Sequence, residues 1–347
     1  MAEEISDERR TIWQRLIGNG RLARPPLAVR IGMAVVVMVV LMVVVTALYA
    51  NVPPEGQPGP AIEYPEEWDV GWEVIKWIDG IVEWVVITWE PFFVIIRTMV
   101  LGILIPFRNF LMWLPWWLVI AGTGILTWRV VGVRFGVIAL LFLSFIAVMG
   151  LINLLMMTLA ITLTATLLCV VLGIPVGIAT AQSNRFEVML RPILDGMQTM
   201  PSFVYLIPAL MLFGLGMTPA VMATMIYAIP PIVRLTNLGI RQLDTSVLEA
   251  AKSFGATPWQ LLTKVQIPLA MPTIMAGLNQ TIMMALAMVI IASMIGAKGL
   301  GAEVLSGIAR LEVGRGFVAG ISIVFVAIIL DRISQSLARR PEVKPTT

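Results

Sequence analysis

The chain of 347 residues is 59% hydrophobic and only 13% charged, with a formal net charge of +3. This composition is too apolar for a water-soluble domain of that length and is typical of an integral membrane protein. Histidine is absent, which removes the commonest metal ligand and the commonest general base near neutral pH. The single cysteine excludes a disulfide within the chain. The composition therefore argues against an enzyme.

The first predicted membrane span is a valine-rich run at residues 31–50. A signal peptide usually has an apolar core of about 7 to 15 residues behind a short basic start. Here the apolar run has 20 residues, and it follows a 30-residue head that contains four acidic groups. We therefore predict a cytoplasmic head at 1–30 and a retained transmembrane anchor at 31–50, with a cleaved signal peptide as the alternative.

Residues 51–110 are predicted to be an extracytoplasmic linker, because they begin with a stretch rich in proline, glycine and glutamate. The later part, 91–111, is apolar enough for a ninth span, but two arginines and a proline interrupt it. We predict an amphipathic helix on the outer membrane interface. Nine of the eleven tryptophans lie between Trp68 and Trp128, as in an interfacial belt. An aromatic cage for a quaternary ammonium group is the alternative.

Seven further apolar runs predict membrane-spanning helices, at 111–128, 135–150, 151–181, 192–215, 218–238, 270–296 and 316–336. With the anchor, they give an all-α fold of about eight transmembrane helices with both termini on one side. Lysine and arginine are concentrated in the segments on that side, and the positive-inside tendency places these segments in the cytoplasm. We therefore expect a multi-pass protein of a bacterial inner (cytoplasmic) membrane, with the tail at 339–347 also cytoplasmic.

The connection at 239–269 is about 30 residues long, whereas connections in helix bundles usually take about 2 to 8. Its middle, Ser246 to Phe254, is predicted to be helical, with Asp244 or Thr245 as the N-cap. A short helix with exposed apolar residues beside a membrane indicates a docking segment for another protein. An ordinary solvated connection is the alternative. The apolar residues that would be poorly placed in water are Leu248, Ala251, Phe254, Trp259, Leu261 and Leu262.

The run Glu249-Ala250-Ala251-Lys252-Ser253-Phe254-Gly255, followed by Val265-Gln266-Ile267-Pro268, resembles the signature of permease subunits of ATP-binding-cassette importers. In that family the loop forms a coupling helix that sits in a cleft of the ATPase subunit. The resemblance implies a type I importer permease core over 111–338, with the coupling loop at 239–269. By position, it assigns the ATPase-coupling role to Glu249, Ala250, Ala251, Gly255, Ile267 and Pro268.

Longer runs resemble the glycine betaine/proline betaine permeases of osmoprotectant uptake systems, over roughly 70–335. The runs are 195–206, 253–256 and 268–280. The resemblance implies a permease subunit that forms the translocation pathway for glycine betaine, proline betaine or related quaternary amines such as choline and carnitine. It also implies a homodimer, two copies of an ATPase subunit and an extracytoplasmic substrate-binding protein. The additional anchor at 31–50 departs from the family pattern.

Energy must come from another subunit, because the sequence has no G-x-x-x-x-G-K-[S/T] loop for nucleotide phosphates. We therefore expect no cofactor or metal in this chain and place ATP and magnesium on the ATPase. Membrane lipid is the other expected contact, and nucleic acid is not expected. Two alternatives remain, namely a stand-alone secondary carrier or channel for small zwitterions, and a membrane scaffold that transports nothing.

Polar residues beside predicted helix interruptions are the candidates for the transport pathway. Pro201, Pro208 and the Pro230-Pro231 pair mark such interruptions, which are tolerated at membrane depth only where the backbone packs in protein or lines a cavity. The alternative is that the polar groups form hydrogen bonds with neighbouring helices. The pathway candidates are Gln198, Thr199, Pro201, Ser202, Tyr205, Asn279 and Gln280.

Overall fold

The computed structural model describes residues 36–44 and 71–338, and the regular structure in these residues is entirely helical. The chain divides into two compact units, Met1–Ile78 and Asp79–Thr347. In the first unit, residues 36–44 are helical, which agrees with part of the predicted anchor. The rest of the anchor, the head at 1–30, most of the linker before residue 71 and the tail at 339–347 lie outside the described residues.

Twelve α-helices of eight or more residues follow from residue 71 onward. They are α1 Gly71–Thr88, α2 Glu90–Trp113, α3 Trp116–Val130, α4 Val133–Val148, α5 Ile152–Gln182, α6 Asn184–Thr199, α7 Leu206–Phe213, α8 Met217–Arg241, α9 Thr245–Ser253, α10 Ile267–Ala292, α11 Leu300–Ala309 and α12 Val313–Ala338. A 3₁₀ turn, Ser202–Tyr205, precedes α7, and a π-helical turn, Leu261–Gln266, precedes α10.

Five helices in the described residues are long and apolar enough to cross a membrane, or six if the bent pair α6 and α7 is one span. The sequence prediction was about eight. Part of the difference lies in the anchor, of which only 36–44 is described. Another part lies at 111–128, where Pro115 separates the end of α2 from α3, so that no single helix covers the predicted span. Helices α3 and α4 have only 15 and 16 residues.

Helix α2 covers the segment that the sequence predicts to lie on the outer membrane interface, and that location stays a prediction. The helix runs for 24 residues through Pro106 and has the length and hydropathy of a membrane span. Val100 and Leu104 are buried in a cluster with residues of α5, α8 and α10. Most of its other side chains are exposed. Helix α2 therefore packs on the bundle through one narrow face.

The core of the second unit is the contact between α5, α8 and α10. Small residues let these helices approach closely, as is common between helices in membranes. At Gly177 of α5, an added Cβ atom would lie 2.6 Å from the Cβ of Thr236. At Gly277 of α10, it would lie 3.2 Å from the Cα of Ile232. Cys169 is fully buried in the same interface, where it packs as a small apolar residue.

Helices α3 and α4 form a hairpin that packs on α12. The rings of Phe142 and Phe325 stack with centroids 3.9 Å apart, and the hydroxyl of Ser336 donates a hydrogen bond to the carbonyl of Val130. The start of α11 is attached to α5, since the hydroxyl of Thr158 accepts a hydrogen bond from the amide of Leu300 at 2.8 Å. These contacts hold the periphery around the three-helix core.

Candidate coupling segment and helix break

Residues 244–266, here called the coupling segment, connect α8 to α10. The segment begins with Asp244, whose carboxylate accepts a hydrogen bond of 2.9 Å from the amide of Ser246 and caps α9. The same hydrogen bond to the Ser246 backbone lowers the pKa of Asp244 below its usual value. The predicted helix is therefore present at Thr245–Ser253, and of the two predicted caps Asp244 is the one used.

Helix α9 ends at a glycine that the backbone requires. Gly255 has φ +79°, a left-handed conformation that residues with a Cβ adopt at an energetic cost. Its amide donates to the carbonyl of Lys252 at 2.9 Å, and the amide of Ala256 donates to the carbonyl of Ala251 at 3.2 Å. These two bonds satisfy carbonyls at the end of the helix. Gly255 thus turns the chain from α9 towards α10.

Helix α9 has no buried residue. Phe254 is 93% exposed and Trp259 is 72% exposed, so two aromatic side chains project from the coupling segment. The other predicted apolar residues differ, because Leu262 is buried and Leu248, Ala251 and Leu261 are half-buried. The surface available to a partner is therefore narrower than the sequence predicted and is centred on the turn after α9.

The C-terminal end of the loop also differs from the prediction. Helical structure already starts at Pro258, where Thr257 and Gln260 form a capping box. The helical turns then continue through the π-helical turn into α10, so the non-helical part of the predicted loop at 239–269 is short. Pro268 lies in the first turn of α10 directly after the π-helical turn.

The predicted coupling residues lie on this segment as follows. Glu249, Ala250 and Gly255 are exposed, Ala251 and Ile267 are half-buried, and Pro268 is exposed. The side chain of Glu249 makes no ion pair with any described residue. Its carboxylate and the two exposed aromatic rings are therefore accessible from the same end of the bundle.

A sharp helix break lies between α6 and α7, which are bent by 109° around Met200 and Pro201. The hydroxyl of Tyr205 donates a hydrogen bond to the carbonyl of Met197 and so bridges the break. The Tyr205 ring is buried beside Tyr227, with ring centroids 5.9 Å apart. The predicted interruption at Pro201 is confirmed. Those at Pro208 and Pro230-Pro231 are wrong, because α7 and α8 continue through these prolines.

Most of the predicted pathway residues surround this break. Gln198, Thr199 and Pro201 are exposed, and Ser202 is half-buried. The Thr199 hydroxyl donates to the carbonyl of Gly196 at 3.2 Å. Tyr205, by contrast, is buried and supports the backbone across the bend. Five of the seven predicted residues therefore lie at the break, within the short stretch 198–205.

Asn279 and Gln280 lie on α10, away from the break. The Asn279 amide donates to the carboxylate of Asp331 at 2.8 Å and accepts a hydrogen bond from the Ser334 hydroxyl. The Gln335 amide donates to the same carboxylate at 2.7 Å. For Asn279, the alternative of a hydrogen bond between neighbouring helices therefore describes what the structure shows. Gln280 is exposed.

Comparison with known proteins decides the family. Residues 173–343 match the model of the family described as "Binding-protein-dependent transport system inner membrane component". The chain is 49% identical over 264 residues to the glycine betaine/proline betaine transport system permease protein ProW of Escherichia coli (strain K12), covering 76% of this chain and 75% of that protein. The chain belongs to this family of inner-membrane transport components. The resemblance to importer permeases is thereby confirmed.

Another relative of this chain is the glycine betaine/carnitine transport permease protein GbuB of Listeria monocytogenes serotype 1/2a (strain 10403S). It is 48% identical over 272 residues, which is 76% of this chain and 95% of GbuB. Among solved structures, an inward facing MetNI methionine ABC transporter has 21% identity and a TM-score of 0.49, and the match covers 55% of this chain and 96% of that one. The family makes this chain a transport subunit rather than an enzyme.

Proposed function

We propose that this chain forms the membrane pathway of an ATP-driven importer for glycine betaine, proline betaine or a related quaternary amine such as carnitine or choline. The observation that carries the proposal is the 49% identity over 264 residues to a glycine betaine/proline betaine permease. The stretch around the helix break supports it, because residues 196–213 contain no charged side chain. A pathway without strong counter-charges lets a zwitterion enter and leave.

The partners belong to the same proposal. Two copies of this chain form the pathway at their two-fold interface, with two ATPase subunits on the cytoplasmic side and a binding protein on the other. A second copy on this face would also cover the exposed apolar side chains of Phe203 and Ile207 beside the helix break, which are 59% and 58% exposed. Gln198, Thr199, Pro201, Ser202 and Tyr205 are the proposed pathway residues.

The test of the transport function is reconstitution in proteoliposomes with the cognate ATPase and binding protein. Uptake of labelled glycine betaine should require ATP inside the vesicles and the binding protein outside. A stand-alone carrier would instead transport without either partner, and a scaffold would give no flux in any combination. A panel of methylated amines in the same assay, with proline betaine, choline and carnitine, identifies the substrate.

The coupling segment is proposed to dock into the ATPase through α9 and the turn at Gly255. Replacing Gly255 with valine puts a β-branched side chain where φ is +79°, so the turn should distort while the membrane helices remain folded. We expect ATPase stimulation by loaded binding protein to fall at least about tenfold. Gly320→Val is a matched control, since Gly320 also has no atom within 4 Å of an added Cβ but lies in α12, outside the coupling segment and the helix break. Unchanged stimulation in Gly255→Val would refute the docking role.

The orientation is also a proposal, with both termini and the coupling segment in the cytoplasm and residues 51–110 outside. If the anchor at 31–50 crosses the membrane, this orientation requires that α2 does not, despite its length. Single cysteines at Trp89 and Trp113, in a Cys169→Ala background, test this. Both should react with an impermeant maleimide added outside. Labelling from opposite sides would show that α2 crosses and that the N-terminal head is extracytoplasmic.

A further inference from the structure

Two ion-paired contacts join α6 to α8. An Nη atom of Arg241 lies 3.1 Å from a carboxylate oxygen of Glu187, and Arg234 pairs with Asp195. Along α6 the two acids are eight residues apart, and along α8 the two arginines are seven apart. Both intervals are about two helical turns, so the pairs join the two antiparallel helices at two separate levels. Two levels of attachment resist tilting of one helix against the other.

Arg241 also connects a third helix. Its guanidinium donates hydrogen bonds to the side chain of Asn184 and to the carbonyl of Thr180, each at 2.7 Å. Asn184 begins α6, and Thr180 lies in the last turn of α5. Arg241 itself is the last residue of α8 and lies three residues before Asp244, the cap of α9. The arginine therefore lies where three helix ends meet the coupling segment.

Helix α6 has little other attachment. Leu194 is its only buried residue, and a cavity of about 370 Å³ separates part of α6 from α8. The four charged side chains of the two contacts all line this cavity. Because helices in membranes associate through close van der Waals packing and polar contacts between helices, a helix that buries one leucine depends on its polar contacts for its position. The charged contacts are thus the main connection between α6 and α8.

We propose that Glu187–Arg241 and Asp195–Arg234 form a clamp that makes α6 move together with α8 and α9. A displacement of the coupling segment then reaches the helix break at Pro201, because α6 ends there. The proposal rests on the proposed function of the coupling segment and identifies the residues that transmit its movement. It assigns a positioning role to the four charged side chains and no contact with substrate.

The test uses the complete transporter in proteoliposomes and measures substrate uptake per ATP hydrolysed. Arg234→Glu and Asp195→Arg, made singly, place like charges opposite each other and should lower this ratio at least about tenfold. ATP hydrolysis itself should continue. The doubly exchanged variant, Asp195→Arg with Arg234→Glu, restores opposite charges and should recover most of the ratio. If the doubly exchanged variant is inserted and folded but its uptake per ATP does not recover, the clamp is refuted.

Arg185→Glu is the matched control. It makes the same change of charge as Arg234→Glu, but Arg185 is exposed on α6 and forms no ion pair with any described residue, so neither contact of the clamp is altered. Its uptake per ATP should remain within about twofold of wild type, because an exposed surface charge contributes little. An equal defect in Arg185→Glu and Arg234→Glu would show that net charge, and not the clamp, is responsible.

A cross-link distinguishes a clamp that stays closed from a gate that must open. Cysteines replace Asp195 and Arg234 in a Cys169→Ala background and are joined by a short bifunctional thiosulfonate, which dithiothreitol releases. Linked transporter should import substrate, and release should lower uptake per ATP as in Arg234→Glu. If the linked form is blocked and the released form works, the contact opens during transport and the clamp is wrong.

Different outcomes refute the clamp proposal and the proposed docking of the coupling segment. If Gly255→Val leaves ATPase stimulation unchanged, the coupling segment does not dock as proposed, whatever the clamp variants do. If Gly255→Val behaves as expected but uptake per ATP is normal in Arg234→Glu and Asp195→Arg, the coupling segment stands and the clamp is refuted.

Discussion

The interface between α5, α8 and α10 and the coupling segment both depend on glycine, for different physical reasons. At Gly177 the neighbouring helix excludes a larger residue, because a Cβ atom would lie 2.6 Å from Thr236 Cβ and 2.8 Å from the Val233 carbonyl oxygen. At Gly255 there is space for a side chain, but the positive φ disfavours a residue with a Cβ atom. Substitution in the core should therefore damage the whole bundle, whereas substitution in the coupling segment should change only its local structure and its partner binding.

The largest effect is expected for Gly177→Val, because both a side chain and a backbone oxygen obstruct the new atoms. Overpacking of this kind should lower the free energy of unfolding by about 3 kcal/mol. Thermal unfolding of the detergent-purified protein measures it. Gly320→Val in α12 is the control, since no atom lies within 4 Å of a Cβ there. Equal destabilisation by both variants would contradict the role assigned to the helix contact.

Phe254→Ala tests the coupling segment. Phe254 is 93% exposed, so its removal should leave the unfolding temperature unchanged. If the ring anchors the ATPase subunit, affinity for that subunit should fall by roughly 2 kcal/mol, or about thirtyfold. Binding of the ATPase to the permease in nanodiscs measures the change. Trp113→Ala, an aromatic residue 78% exposed at the end of α2, should leave the affinity unchanged. If both variants bind the ATPase subunit more weakly, the coupling segment is not the specific docking site for that subunit.

Asn279→Leu tests the polar contact between the core helix α10 and the neighbouring helix α12. Loss of the hydrogen bonds to Asp331 and Ser334 should destabilise the bundle by about 1 kcal/mol, the scale measured for polar contacts between membrane helices. Gln280→Leu changes the exposed neighbour and should have no such effect on the unfolding temperature. Uptake by the folded Asn279→Leu protein should keep the wild-type KM. A raised KM for uptake without loss of stability would indicate that Asn279 lies on the transport pathway.

The smallest effect is expected for Asp244→Ala, which removes the cap of α9. Amide exchange in α9 should become faster at neutral pH, as measured by mass spectrometry on the whole protein. Because the folded pKa of Asp244 is lowered, the capping contribution is present at neutral pH and is lost as pH falls through that pKa. Wild type should therefore approach Asp244→Ala in acid. Asp244→Asn keeps an acceptor and should stay close to wild type at neutral pH. A pH response that survives in Asp244→Ala would exclude this carboxylate as its source.

Local signals account for the predictions that hold. The cap at Asp244 and the glycine at 255 act within a few residues, so α9 could be placed from its own sequence. The break at Pro201 is also local, since the chain before a proline is pushed out of the helical region. The prolines at 230 and 231 carry the same signal, yet α8 runs through them, because both are buried against neighbouring helices that hold the helix together.

The amino-acid sequence by itself determined the membrane class, the all-helical fold and the family, because composition, long apolar runs and a motif read along the chain suffice for each. Only the tertiary structure decided which polar residues meet. Asn279 pairs with Asp331, and Glu187 pairs with Arg241, across 52 and 54 residues of sequence. The reason is that such pairs depend on the crossing angle and rotation of whole helices, which no local pattern encodes.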